Sequence, residues 1–265
     1  MAAQTAFPTS AIPLHEAGDG RPALVLHGGG GPATVAPIAA HLAGAMHVLT
    51  PTHPGWDGTP LPASIGSIRQ LAGVYLRLLR ERDLHDVLLV GSSIGGWLAA
   101  EIALADVDGR IAGLVLVDAA GIDVPGEPIA DVFALSPQEL AQRSWHAPDR
   151  FFVDPAQLPP ERRTAIRANL EALRTLTADP YMHDPSLRER LGAIAVPTLV
   201  LWGESDRVAT PDYGRAYAAA IPAARFAAIA GAGHLPQLEQ PAATAALIDA
   251  HRMRTSGSVG AGGAR

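Results

Sequence analysis

Apolar positions along this chain follow two rhythms. Residues 23–27, 47–51, 86–91, 111–118, 197–202 and 225–230 form short, nearly continuous apolar runs rich in Val, Leu and Ile. Runs of this length without polar alternation suit parallel strands buried on both faces. Between them lie longer Ala-rich stretches with helical spacing, at residues 34–42, 65–82, 94–105, 211–220 and 241–251. Strand and helix in alternation imply an α/β fold, a mostly parallel central sheet flanked by helices and joined by right-handed crossovers.

The alternation stops at residues 121–190, where the sequence turns Pro-rich and charged, as in PGEP, LPPERR and DPYMHDP. Within this stretch Ile166, Leu170, Leu173 and Leu176 recur at helical spacing, so residues 160–177 read as an amphipathic helix whose Glu/Arg face is solvated. The expected organisation is a core of residues 1–120 and 191–254, interrupted by a helical cap at 121–190. Residues 255–265 (TSGSVGAGGAR) have no apolar period and are expected to be a disordered tail.

Composition narrows the chemistry. Of 265 residues, 48% are hydrophobic and 17% charged, enough apolar content for a buried core. The 27 Gly and 23 Pro sit between apolar runs, which fits many turns. There is no Cys, which excludes thiol nucleophiles, thiolate metal sites and disulfides. There is no Lys either, all 20 basic side chains being Arg, which excludes a lysine Schiff base and a P-loop. The formal net charge is -6 and no basic run exists, so no nucleic-acid partner is expected. No signal peptide or membrane span is read, and a cytoplasmic location is the default expectation.

Against that background three loops stand out. Gly91-Ser92-Ser93-Ile94-Gly95 follows the strand-like DVLLV and precedes the helix-like WLAAEIALA, the context a G-x-S-x-G turn requires. Such a turn strains the backbone at Ser93, needs Gly at 91 and 95 to avoid collisions, and aims the Ile94 N–H from a helix N-terminus toward the Ser93 hydroxyl. A serine needs a base and the base needs an orienting acid. Asp206 and His234 lie on loops just past the last two strand-like runs, in the order Ser, Asp, His. Carboxyl ends of strands are where sites of open α/β sheets assemble. Finally, Gly28–Gly31 follow the strand ALVL, and Gly29 is placed to supply a second oxyanion donor beside Ile94. The loop lacks the G-x-G-x-x-G register of a nucleotide site.

The segments HGGGGP, THPGWDGT, VGSSIGGW, LVLWGESDRVATP and GAGHLPQLEQP resemble, in order and spacing, the α/β-hydrolase superfamily. The resemblance implies the α/β-hydrolase fold with a helical cap, the triad Ser93, Asp206 and His234, and oxyanion donors at Gly29 and Ile94. Asp118 sits where a minority of relatives place the acid, and Asp206 matches the commoner position. His27 is expected to be structural, with His53 and Asp57 bracing their loop. Trp145, Phe151, Phe152 and Tyr181 are candidates to line the substrate pocket, as are Trp97, His146 and Met182, with core or cap packing as the competing role.

Ser at the elbow argues against relatives that use Asp there. The reading is hydrolysis of a carboxylic ester or lactone through an acyl-enzyme, with a small-molecule substrate and without a metal or organic cofactor. Carbon–carbon bond hydrolysis of a diketo acid is the first alternative, although Ser92 and Leu235 stand where such enzymes carry Asn and Trp. A small-molecule receptor with little turnover is the second. Oligomeric state is left open.

Overall fold

A computed structural model describes residues 7–222 and 224–256. Seven strands form one sheet: β1 (Leu14–Ala17), β2 (Pro22–Leu26), β3 (His47–Pro51), β4 (Val87–Ser92), β5 (Ile111–Val117), β6 (Thr198–Gly203) and β7 (Ala224–Ile229). Their order is β1-β3-β2-β4-β5-β6-β7, and every pairing is parallel except that of β1 with β3.

The apolar runs fold this way because consecutive strand residues face opposite sides. Leu24, Leu89, Leu114, Leu116, Val200 and Trp202 pack on one side, and Val25, Leu88, Val90, Val115, Leu199 and Leu201 on the other. The first side is covered by α2 (Ile68–Glu81), α3 (Ile94–Ala105) and α8 (Pro211–Ala219), the second by α1 (Ala36–Leu42) and α10 (Pro241–Ser256). Each fully buried aliphatic side chain contributes about 1.5–3 kcal/mol. The sheet is therefore a rigid platform on which loops at the strand ends can hold strained geometry.

The insertion between β5 and β6 carries four α-helices: α4 (Pro137–Ser144), α5 (Pro148–Phe151), α6 (Pro160–Thr177) and α7 (Leu187–Arg190). A capping box starts α4, with Ser136 and Glu139 satisfying each other's backbone N–H groups. At the far end Arg190 grips the buried Glu101 of α3 through two bonds of 2.8 and 2.6 Å, fastening α7 to the core. A short α9 (Pro236–Glu239) follows the His234 loop.

Two sequence expectations shift. The edge strand β1 went unread because its sequence, LHEA, is half exposed and carries no apolar run. Helix α10 extends to Ser256, so Thr255 and Ser256 are helical, and the remainder of the expected tail lies outside the described residues. Among the described residues, no helix is long and apolar enough to cross a membrane.

Candidate active site

Strand β4 ends at Ser92 and α3 starts at Ile94, so Ser93 alone makes the turn. Its backbone lies at φ 56, ψ -120, strained for a residue with a side chain. Hydrogen bonds hold it there. The Ser93 N–H donates to Val117 O at 2.9 Å, and Ser93 O accepts from the N–H groups of Gly96, Trp97 and Ala120 at 2.9, 3.2 and 3.2 Å. The glycines are a steric requirement. A Cβ on Gly91 would lie 2.1 Å from Gly95 O, and one on Gly95 would lie 2.3 Å from Leu26 O.

His234 Nε2 stands 3.0 Å from Ser93 Oγ, and His234 Nδ1 stands 2.8 Å from Asp206 Oδ2. The three residues come from loops after β4, β6 and β7. The other oxygen of Asp206 accepts from Val208 N–H at 2.8 Å and Ala209 N–H at 3.2 Å, which fixes the carboxylate plane. The Asp206 side chain is fully buried and that of His234 is 12% exposed. The imidazole can therefore exchange protons with a substrate while its partner stays dry.

The insertion helps to hold His234. Its N–H donates to Ser144 O at 2.7 Å. The Glu239 carboxylate accepts from Gly233 N–H at 2.6 Å, His146 N–H at 3.1 Å and Ala147 N–H at 3.0 Å. One side chain thus ties the histidine loop to the segment after α4.

Asp118 completes the neighbourhood. One carboxylate oxygen accepts from Gly203 N–H at 2.9 Å, and the other has no hydrogen-bond partner. Asp118, Asp206 and His234 each place a ligating atom within 4.8 Å of the others. Burial, reinforced by the negative charge of Asp206, pushes the Asp118 carboxyl well above the usual range. The spacing would also suit a metal ion, but Asp206 Oδ2 and His234 Nδ1 are bonded to each other.

The glycine loop rests on a pair of stacked, buried imidazoles, His27 and His53, with ring centroids 3.8 Å apart. His53 N–H donates to His27 Nε2 at 3.0 Å, so His27 carries its proton on Nδ1 and donates to Gly28 O at 2.7 Å. The Tyr75 hydroxyl lies 2.6 Å from His53 Nδ1, and His53 Nε2 donates to His27 O at 3.1 Å. The His27 ring is neutral by geometry, since its Nε2 accepts a backbone N–H. Burial lowers His27 to about 4, and lowers His53 well below its ordinary value. Trp56 Nε1–H donates to Gly29 O at 2.9 Å and orients that carbonyl. Ile94 is the first residue of α3, so its N–H has no intrahelical partner.

Ser93, His234, Gly29 and Ile94 open onto one cavity of about 520 Å³, whose lining includes residues of the insertion between β5 and β6. Of the candidate pocket residues, Trp145, Phe151, Phe152 and Met182 line it. Tyr181 does not. Its hydroxyl donates to Ala130 O and accepts from Val132 N–H at 2.8 Å, which turns the ring into cap packing against Phe133. Nor do Trp97 and His146 line it: Trp97 is buried beside Gly121, and His146 Nδ1 pairs with Ser205 Oγ at 2.8 Å.

Sequence reasoning missed Asn169, which lines the cavity and joins the cap to the loop after β3. Its Oδ1 accepts from Asp57 N–H at 2.8 Å and its Nδ2 donates to Asp57 Oδ1 at 3.1 Å. The signal was present, since position 169 falls three residues after Ile166 and four before Leu173, within the apolar stripe of α6.

A model of the alpha/beta hydrolase family matches residues 23–247, and the chain belongs to that family. A 2-hydroxy-6-oxononadienedioate/2-hydroxy-6-oxononatrienedioate hydrolase of Cupriavidus pinatubonensis is 30% identical over 239 residues, spanning 82% of this chain and 81% of that protein. Among solved structures, a thermophilic esterase from Thermogutta terrifontis is similar with a TM-score of 0.74 and 26% identity, covering 92% of this chain and 93% of the esterase. A meta-cleavage product hydrolase from Pseudomonas fluorescens shares the fold, with a TM-score of 0.76, 20% identity, and coverage of 92% of this chain and 94% of that one.

Proposed function

We propose that this chain is a serine hydrolase that cleaves a carboxylic ester or lactone through an acyl-enzyme. The observation that carries the reading is the continuous relay from Asp206 through His234 to Ser93, at 2.8 and 3.0 Å, on the floor of a capped cavity. His234 Nε2 takes the Ser93 proton as Oγ bonds to the substrate carbonyl carbon. The tetrahedral oxyanion is met by the N–H groups of Gly29 and Ile94, each such donor being worth about 10²–10³ in rate. His234 then protonates the departing alkoxide and the acyl-enzyme remains. Water gives a proton to His234 and attacks the acyl carbon, and Ser93 Oγ leaves with that proton. Asp206 stabilises the imidazolium without taking its proton.

A second reading, carbon–carbon bond hydrolysis, is favoured by the Cupriavidus relative, whose name specifies a keto dicarboxylate. The same serine and histidine would serve it. A panel of one aryl ester, one lactone and one such keto acid, assayed with wild type, Ser93→Ala and His234→Ala, separates the readings. The proposal expects ester or lactone turnover that both variants lose. Keto-acid turnover exceeding that of every ester would replace it with the second reading. A protein that binds these molecules yet turns over no faster than Ser93→Ala would be a receptor.

A further inference from the structure

The cavity wall is unusual in what it offers a ligand. Among the described residues, none of those lining it is an acid or an arginine, and His234 is its one titratable side chain. Two of the polar side chains on the wall, Asn169 and Thr34, are spent on the protein itself. Asn169 is locked to Asp57, and the Thr34 hydroxyl donates to Gly31 O at 2.7 Å. The aromatic wall is stiffened by Trp145 and Phe151, stacked with centroids 5.1 Å apart, and the Arg150 guanidinium lies over the Phe151 ring at 5.3 Å without joining the lining.

A second observation concerns the rim. The exposed large hydrophobic residues among those described are Val107, Val153, Ile166, Leu170 and Met253. Three of these five, Val153, Ile166 and Leu170, line this cavity. Exposed apolar side chains scattered singly need no explanation, but a cluster contiguous with an apolar chamber marks a binding surface. Wall and lip together form one uncharged apolar path from Ser93 to solvent.

From this path we infer the substrate class: a neutral ester or lactone with a long apolar arm that runs under Trp145 and Phe151 and emerges past Val153, Ile166 and Leu170. The inference rests on the hydrolase reading above and deepens it. A carboxylate on that arm would be stripped of water with no acid-pairing arginine on the wall and only neutral donors such as the Ser144 hydroxyl to receive it, which disfavours binding. A medium-length chain fills the chamber, and a longer one gains contact with the lip, so preference should rise with chain length.

The test is a pair of p-nitrophenyl esters of equal length, hexanoate and the monoester of adipate, which differ in the arm's terminal methyl or carboxylate. The proposal expects kcat/KM at least about 10²-fold lower for the adipate ester. Values within tenfold of each other would overturn it. Across acetyl, butyryl, octanoyl and dodecanoyl esters, kcat/KM should rise, and Ile166→Glu or Leu170→Glu should cut the dodecanoyl-to-acetyl ratio about tenfold. An unchanged ratio in both variants overturns the role of the lip. Thermal shift of Ser93→Ala with the same pair of esters keeps the two claims apart. Stabilisation by hexanoate and not by adipate supports the substrate class even if wild-type turnover fails, and equal stabilisation refutes it even if turnover succeeds.

Discussion

Replacing Asp206 by Asn tests how the site sets the tautomer of His234. The substitution keeps shape and removes charge, and the surroundings dictate which way the amide faces. Asp206 Oδ1 accepts two backbone N–H groups, from Val208 and Ala209, while Oδ2 faces His234 Nδ1. With its oxygen kept on the two donors, the new amide presents its NH₂ to Nδ1. That nitrogen must then accept, the ring proton moves to Nε2, and Nε2 can no longer take the Ser93 proton. Flipping the amide would leave two buried donors facing an NH₂, at a cost of about 1–3 kcal/mol each. The wrong tautomer is therefore the stable one. A triad disabled in this way loses about 10⁴ in kcat, or roughly 5.5 kcal/mol of transition-state stabilisation. The assay is kcat on p-nitrophenyl hexanoate at pH 8, with circular dichroism to show that the fold is intact. A folded variant retaining activity within tenfold of wild type would show that the proton stays on Nδ1.

Other consequences follow from the same contacts. Asp118→Asn should leave kcat within about fivefold of wild type, because burial beside Asp206 already disfavours a charge on this carboxyl and the amide oxygen can still accept from Gly203 N–H; a loss matching that of Asp206→Asn would show that Asp118 carries the catalytic charge. Gly91→Ala forces a methyl to 2.1 Å from Gly95 O and should cost about 3 kcal/mol, read as a fall in the urea midpoint. Stability should also fall in acid. His27 is lowered from an unfolded value near 6.5 to about 4, so the unfolded chain binds the extra proton first, and stability present above pH 6.5 is lost as pH drops through 4. That ring alone accounts for about 3 kcal/mol, and denaturant midpoints measured between pH 7 and pH 4 that do not fall would contradict it.

The parallel core was legible because strands buried on both faces leave an unmistakable apolar run, as in the residues that became β4 and β5. Helix α6 was legible to its ends, since its apolar stripe is interrupted by neither Gly nor Pro. The cap's short helices α4, α5 and α7 were not, because they are set by local capping and by contacts such as Arg190 with Glu101 rather than by periodicity. In the site, Ser93, Asp206 and His234 could be picked out because each stands beside glycines or at a strand end where backbone geometry forces the residue choice. Pocket roles were harder to assign. Tyr181 and Phe151 look alike in sequence, and only the partner of the Tyr181 hydroxyl directs its ring away from the cavity. Glu239 was passed over because a carboxylate five residues after His234 has no visible partner until the segment after α4 folds back to donate two N–H groups to it.

The measurement that bears most directly on the account is intact-mass and peptide mapping after brief exposure to a fluorophosphonate. Activation of the Ser93 hydroxyl by His234 predicts a single adduct on the peptide carrying residue 93, formed rapidly by wild type and nearly absent from His234→Ala over the same interval. Labelling at another residue, or equal labelling of the two proteins, would contradict the claim that this imidazole makes that hydroxyl a nucleophile.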